Sequence, residues 1–576
     1  MHFSKPRFFS WSAPGLLSGL LFLTATAPVM AQWTTESYVL KPGWNAVWLP
    51  LDVSHESIAE LADGDIEELW RWNAQEAGTF TESPAGSPSQ TDLQWSVWRR
   101  TSAEGSTLGM LTGNAAYLVK VSDTATTFNW LVKGKPLTPR FEWSSTGLNF
   151  VGFPLQTPPD LATRSFSRFY GFDPVLKSLP STLLYVGGPL SDIAPRNPRP
   201  ANLTSTNPAL GSPPTRGQAY WVQATSYTDY AGPVKVAVDR EDGLNFGTER
   251  LSVSVRLSNV IDPVRNQTVT VTLQPVESEA PPAGQTANAG SVPLMVRGAL
   301  DLRTGVHAYL PFTSPVTRVL SPGESTDVIF TVNRSAMGSV AGSLFQSLLR
   351  ITDSLLQTRI DLAVAAETTS RAGLWGGAAV ITSVDQIVGT TASAKAAPSQ
   401  FPLRLILHSD AAGTVRLLQQ AYLGEKSGVA SISGGEAVFA APAKAASRVS
   451  TSHFPTGLNQ TGAGALGLTG SLTFQVALPA DASSNPFLHA YHPDHDNMDA
   501  RFEQPLPPGR ESPALGRVIT LTFVPDNPLG FDPAWGISSL GGTYTETITG
   551  LRATPVTCSG VFTLHRATGA ATFLSN

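Results

Sequence analysis

Leu251-Ser252-Val253-Ser254-Val255-Arg256-Leu257-Ser258-Asn259 alternates apolar and polar residues without a break. Successive side chains of an extended chain point to opposite faces, so Leu251, Val253, Val255 and Leu257 share one face and the serines and arginine the other. This is a half-buried strand. Val269 to Leu273 alternates in the same way, and Leu320-Ser321-Pro322-Gly323-Glu324-Ser325 reads as a turn into the strand Asp327-Val328-Ile329-Phe330-Thr331-Val332. Leu348 to Thr352 and Arg359 to Val364 close the set, turning at Asp353-Ser354. Short alternating strands at this spacing predict a β-sandwich over residues 239–368. Gln274 to Ser291, rich in Pro, Ala and Gly, is expected to be an unstructured excursion from it.

The stretches "LNFG…VRLSN…L-x-PGES…VIFTV" resemble bacterial immunoglobulin-like domains of large surface proteins. That resemblance implies a spacer or binding module.

Upstream the chain repeats itself. Gly43-Trp44-Asn45-Ala46-Val47-Trp48-Leu49-Pro50-Leu51 returns as Gly147-Leu148-Asn149-Phe150-Val151-Gly152-Phe153-Pro154-Leu155, 104 residues on. Ala116-Tyr117-Leu118-Val119-Lys120 returns as Ala219-Tyr220-Trp221-Val222-Gln223, 103 residues on. Two signatures at nearly one spacing predict tandem β-modules, residues 32–138 and 139–238. Ser83 to Ser89 and Pro189 to Pro214 are expected to be long loops. The "GWN…PL" and "G-x-AYWV" patterns resemble small β-modules near the N-termini of exported bacterial proteins, which implies no activity.

Nine of the thirteen tryptophans lie between Trp33 and Trp143. Flat aromatic faces suit carbohydrate, which would make Trp44, Trp48, Trp70, Trp72, Trp95 and Trp98 a binding platform. Tryptophan equally fills small β cores, where it supplies much buried area per residue. Trp44 and Trp48 share a strand face, as do Trp70 and Trp72, and a shared face fits either reading.

The first 31 residues read as an export signal. Lys5 and Arg7 precede the apolar run Leu16 to Ala27, and Val29-Met30-Ala31 offers a small residue at the cleavage position, so Gln32 is expected to begin the mature chain. The protein is therefore expected to be secreted, periplasmic or on the cell surface, with no transmembrane segment after cleavage. Cys558 is the only cysteine, which excludes an intrachain disulfide and a cysteine metal site. Over 576 residues the formal charge is only −5, too weak a field to gather nucleic acid. With 14% charged residues, 50 Gly and 45 Pro, the chain suits strands and turns better than exposed helices.

From residue 371 to 576 further strands are predicted at Leu374 to Val384, Leu403 to His408, Thr414 to Ala421, Ser471 to Leu478, Arg517 to Phe523, Thr543 to Thr549 and Val556 to Arg566. Gly373-Leu374-Trp375-Gly376 and Gly560-Val561-Phe562-Thr563-Leu564 suit neighbouring strands that would close a barrel or complete a sandwich. Ala392 to Gln400 and Ala440 to Ala446 read as loops, as does Gly462-Ala463-Gly464-Ala465-Leu466-Gly467. "GLW-G", "FPLRLILHSD", "NPF-HAYHPDHDN" and "GTY-ETI-GL" together resemble an uncharacterised C-terminal module of large secreted proteins of planctomycete-like and verrucomicrobia-like bacteria. No function attaches to that resemblance.

Within this region His489-Ala490-Tyr491-His492-Pro493-Asp494-His495-Asp496-Asn497-Met498-Asp499 gathers imidazoles and carboxylates. His489, His492, Asp494, His495, Asp496 and Asp499 are candidate ligands for a divalent metal, Zn or Ca, with His453, Glu511 and Glu546 as distant further ligands. The same residues could instead cap a turn and hydrogen-bond across the domain. No His-Glu-x-x-His occurs, which leaves a metalloprotease without its pattern. The expectation is an all-β, multi-domain, exported structural or adhesive protein that partners surface proteins or glycans. Carbohydrate binding and, behind it, metal-dependent hydrolysis are the alternatives.

Overall fold

The computed structural model describes residues 32–73, 95–101, 106–141, 149–156, 166–178, 181–185, 203–205, 215–223, 226–240, 242–338, 340–355, 357–388, 391–425, 436–439, 447–450, 460–483, 485–487 and 513–574. Among these residues the strands form seven sheets, and the chain is all-β and multi-domain.

The first region supplies β1 (Thr34–Leu40), β2 (Gly43–Leu49), β3 (Leu51–Asp52), β4 (Ile66–Trp72), β5 (Trp95–Arg99), β6 (Ala115–Val121) and β7 (Phe128–Pro136). One turn of helix, α1 (Ile58–Leu61), starts at a capping box in which Ser57 and Glu60 satisfy each other's backbone donors. The sheets are β1-β7-β3 and β2-β6-β4-β5. Strand β2 is apolar on both faces because both are covered. Val47 and Leu49 meet Tyr117, Val119, Trp130 and Val132 between the two sheets. Trp44, Ala46 and Trp48 face outward from that pair and join the core of the second region.

That second region comprises β8 (Asn149–Val151), α2 (Phe166–Gly171), β9 (Ser181–Tyr185), β10 (Leu203–Ser205) and β11 (Tyr220–Gln223), in sheet order β10-β9-β11-β8. Leu203–Ser205 is thus a strand inside the stretch Pro189 to Pro214, expected to be loop throughout. Gly152 abuts Trp48, and a Cβ there would fall 2.2 Å from the Trp48 Cβ. Only glycine permits that approach. The Trp48 N–H donates to the Gly217 carbonyl at 2.8 Å, tying the two regions through their backbones.

The third region holds β12 (Val234–Val238), β13 (Leu244–Asn245), β14 (Ser252–Asn259), β15 (Val269–Glu277), β16 (Leu294–Asp301), β17 (Val306–Pro311), β18 (Val316–Leu320), β19 (Ser325–Val332), β20 (Leu344–Asp353) and β21 (Arg359–Glu367). Two five-stranded sheets result, β12-β14-β19-β16-β17 and β13-β21-β20-β15-β18. The alternation in β14 places Val253, Val255 and Leu257 against Val269, Val271 and Leu273 of β15 in the core they share. The excursion at Gln274 to Ser291 is more ordered than expected. Strand β15 continues to Glu277, the Ala289 N–H donates to the Leu344 carbonyl at 2.8 Å, and the Gln346 N–H donates to the Gly290 carbonyl at 2.9 Å.

The last region contains β22 (Gly373–Val388), β23 (Thr391–Ser409), β24 (Val415–Leu417), β25 (Gln420–Glu425), β26 (Glu436–Phe439), β27 (Ser447–Ser450), β28 (Gln460–Thr461), β29 (Ala463–Gly464), β30 (Ser471–Leu478), β31 (Leu515–Phe523), β32 (Ser539–Thr549), β33 (Val556–Thr568) and β34 (Phe573–Leu574). Its nine-stranded sheet runs β28-β24-β23-β22-β33-β32-β31-β30-β29. Only Gly462 separates the two end strands, and its N–H donates to the Val415 carbonyl at 2.9 Å. One segment therefore pairs with both edges, β28 with β24 and β29 with β30, and the sheet closes into a barrel. The glycine-rich loop of the sequence reading is the seam of that barrel. Ala392 to Gln400, expected as a loop, extends β23, whose Thr391 to Ala396 pair with β22. Strands β22 and β33 are neighbours, as their Gly-Leu-Trp-Gly and Gly-Val-Phe-Thr-Leu runs predict. A smaller sheet, β27-β25-β26-β34, covers Leu374, Ile406 and Leu418 on the outside.

Candidate functional site

The six tryptophans of the expected platform separate into two groups. Trp44 and Trp48 are buried, which removes them from any sugar-facing surface. The Trp48 indole lies 6.2 Å from the ring of Phe141 and stacks on it, where it fills core. Trp70, Trp72, Trp95 and Trp98 are half-buried. Trp95 meets Trp70 and Trp72 edge-to-face at 5.7 and 5.1 Å, and the Trp70 indole N–H donates to Glu68 Oε2 at 2.8 Å. Arg99 and Arg100 lie over the rings of Trp70 and Trp98, so these faces already have cationic partners.

His489, His492, Asp494, His495, Asp496 and Asp499 lie outside the described residues, as do His453 and Glu511. Glu546 is described and is not free to ligate. Its carboxylate is buried in the barrel, paired with Arg517, and accepts the Tyr544 hydroxyl at 2.7 Å. Burial first, then the Glu546 charge, push the Tyr544 hydroxyl far above its ordinary pKa, so it stays a donor. Burial also raises the neighbouring Cys558 thiol, which suits a core residue and not a nucleophile. Among the described residues no three His, Cys, Asp or Glu side chains converge as a metal site needs.

The structure brings together a different set. A cleft of about 700 Å³ opens where the segment after β7, the loop before β12 and the sandwich meet. Asn114 forms one wall from a left-handed backbone conformation, φ 53°. Gly113 precedes it because a Cβ there would come within 2.6 Å of the Leu51 carbonyl oxygen. The Asn114 amide donates to the Thr138 carbonyl at 2.8 Å, while Asn114 Oδ1 and Thr138 Oγ1 are buried without partners. Two polar atoms behind this wall thus have unmet hydrogen-bonding capacity, closed off from solvent. The lining also includes Tyr227, 64% exposed, and an ion pair between Asp229 and Lys235. Asp173, also in the lining, accepts the N–H groups of Val175 and Leu176 at 2.8 and 2.7 Å. The Tyr230 hydroxyl donates to the Phe169 carbonyl at 2.8 Å, and burial holds it well above its ordinary pKa. An exposed ring and a surface ion pair can bind a polar ligand.

Sequence reading missed this cleft because its residues are scattered over six segments. One signal was available. Gly113-Asn114 is a turn dipeptide, and Gly217, at the corresponding place in the second repeat, also has positive φ, 78°.

Beside the cleft lies a buried ionic junction. Arg216 pairs with Glu36 of β1 at 2.5 Å and donates to the Leu155 carbonyl at 3.0 Å and the Arg359 carbonyl at 3.4 Å. One guanidinium therefore contacts all three of the first regions. Burial opposes its charge, and Glu36 more than offsets that, holding Arg216 above its ordinary pKa. Asp361, buried next to it, is shared by Arg350 and Arg359. Burial raises its pKa and the two guanidiniums more than reverse this.

No family model and no curated protein matches the chain. Among solved structures, a structural-genomics protein of unknown function from Bacteroides ovatus aligns with 58% of this chain and 95% of its own, at 9% identity and a TM-score of 0.18. Among the described residues no helix is long and apolar enough to cross a membrane.

Proposed function

We propose that this is an exported, non-catalytic structural or adhesive protein of the bacterial cell surface or extracellular space, in which a stiff β block carries a barrel. The Arg216 junction is the observation that carries this reading. A guanidinium fixed to three regions at once, over a core running from Trp44 to Ala366, suits a rigid spacer. The tandem-module reading draws support from one shared detail. The Tyr117 hydroxyl accepts the Thr112 N–H at 2.8 Å, and the Tyr220 hydroxyl accepts the Thr215 N–H at 2.9 Å. The parallel pairing of β13 with β21, the first and last strands of one sandwich sheet, supports the immunoglobulin-like reading. Surface labelling and fractionation of cells making the full chain should find it outside the cytoplasm. Retention in the cytoplasm overturns the reading.

A second reading, glycan binding, is favoured by the cleft, whose lining includes the exposed Tyr227 ring and the Asp229–Lys235 ion pair. Titration with oligosaccharides should show binding that Tyr227→Ala abolishes. Equal binding by that variant would remove the cleft from consideration.

A further inference from the structure

Gln32 is 3% exposed and is followed by Trp33, whose indole is wholly buried. The Trp33 N–H donates to Ser278 Oγ at 3.0 Å, and its carbonyl accepts the Glu279 N–H at 2.9 Å. The Thr35 N–H and hydroxyl then donate to the two Glu279 carboxylate oxygens at 2.9 and 2.6 Å. This latch fastens the start of β1 to the loop after β15. Charges of both signs meet there, with Asp52 and Asp242 acting on Lys135. Lys133 lies 3.3 Å from Glu279, and Lys135 sits 5.5 Å from the centre of the Trp33 ring. Burial lowers the pKa of Lys135, so charge at this spot is already costly.

Removal of the leader at Ala31 would place a new α-ammonium on Gln32, a buried position next to the latch. The Glu279 carboxylate is already engaged by Thr35 and Lys133, so that ammonium would be poorly compensated. We infer that Gln32, as the first residue of the mature chain, is a modification site that closes to a pyroglutamyl ring. The α-amine in its neutral form attacks the side-chain amide carbon of the same residue. A carbon–nitrogen bond forms within a five-membered lactam, the bond to the amide nitrogen breaks, and that nitrogen leaves as ammonia with the proton from the attacking amine. No redox partner is needed. The product is a neutral terminus that keeps the Trp33 N–H available to Ser278.

The inference rests on the export reading, and one measurement separates the two. The full chain with its leader is produced in an exporting bacterial host, and the intact mass and N-terminal peptide of fresh protein are determined. Expected is a mass of residues 32–576 less one ammonia for most molecules, with an N-terminus unreactive to amine labelling. A Gln32→Ala variant should be cleaved at the same bond and label fully, confirming that the block arises from Gln32. Chain beginning at Gln32 with ammonia retained and a reactive amine overturns the ring while leaving export intact. Cleavage at another bond also overturns it. An uncleaved chain overturns the export reading itself.

Discussion

The block of residues 32–368 and the barrel of residues 371–574 bury antiparallel strands in different ways. The barrel curls one sheet until its edges meet, so neighbouring backbones crowd on its surface. A Cβ at Gly377, Gly542 or Gly560 would fall 1.9, 1.9 or 2.0 Å from a carbonyl oxygen of the adjacent strand. Its core is its own, from Trp375 to Leu564. The block stacks separate sheets instead, and beside the core between its first two sheets one core runs from Trp44 through Phe153 and Val255 to Ala366. Contacts between block and barrel are of a lighter kind: Ser335 to Asp526 at 2.9 Å, Arg566 to Glu249 at 2.9 Å, and Tyr309 against Phe531 at 5.0 Å between ring centres. The lesson concerns cooperativity. Residues sharing one core should unfold together, and a closed barrel should unfold alone.

The largest test is Trp48→Ala. It empties the contact with Gly152 and Phe141 at the centre of the shared core and should cost about 3–5 kcal/mol. Calorimetry should show the block's transition falling while the barrel's holds. A barrel transition that moves with it would break the comparison. Arg216→Ala should follow at about 3 kcal/mol, since it strands the Glu36 carboxylate in a poorly hydrated junction. The double variant Arg216→Met with Glu36→Gln should recover most of the loss, which would separate the cost of an orphaned charge from the value of the pair.

The barrel offers the counterpart. Glu546→Gln keeps size but withdraws the negative charge from Arg517 and Tyr544, and should destabilise the barrel by about 2 kcal/mol with the block unmoved. This also sets the limits of sequence reading. Strand β30 was legible to the residue, because Ser471 to Leu478 alternates in a sheet with one wet face. The hairpin of β20 and β21 was legible instead from two apolar runs on either side of its Asp353 turn, both of them largely buried. The barrel seam was not. Gln460 to Gly464 has no apolar pattern of its own and becomes strand only because two edges lie within reach. The extension of β23 through Ala392 to Gln400 was hidden likewise, since small residues signal loops unless a partner strand is present. Tryptophan was ambiguous by nature. Residue type identifies a large apolar ring, and only Gly152, a hundred residues away, makes Trp48 core. The Arg216 junction and the cleft are products of tertiary convergence and left almost no trace along the chain.

Acid should act on both halves at once. His55 in the block and His408 in the barrel are buried, and burial lowers the pKa of each. Their nitrogens differ. Nε2 of His408 lies 3.0 Å from the Ala570 carbonyl, whereas neither ring nitrogen of His55 has a hydrogen-bond partner. A histidine whose folded pKa is depressed favours the folded state above its unfolded pKa. That contribution is lost as pH falls below about 6.5, where the unfolded chain takes up the proton first. Both transitions should therefore drop between about pH 7 and pH 5. His408→Gln should flatten the barrel's pH dependence and leave the block's unchanged. If it flattens both, the two halves are coupled.

The smallest expected effect is the sharpest test of the joint. Glu249 is 62% exposed at its side chain, so its pair with Arg566 works in high dielectric and gives up side-chain freedom to form. Arg566 meanwhile donates from Nε and Nη2 to the Ala372 carbonyl at 3.1 and 2.7 Å, bonds that lie at the base of β22 and survive loss of the carboxylate. Glu249→Gln should thus move neither melting transition by more than about 0.5 kcal/mol. Its effect should appear in the orientation of the halves. With a polar contact across the joint weakened, small-angle scattering should report a broader range of block-to-barrel distances at unchanged stability. A variant that lowered both transitions together would mean that the joint contributes to folding. The chain would then be one stiff body from the N-terminal latch to the barrel seam.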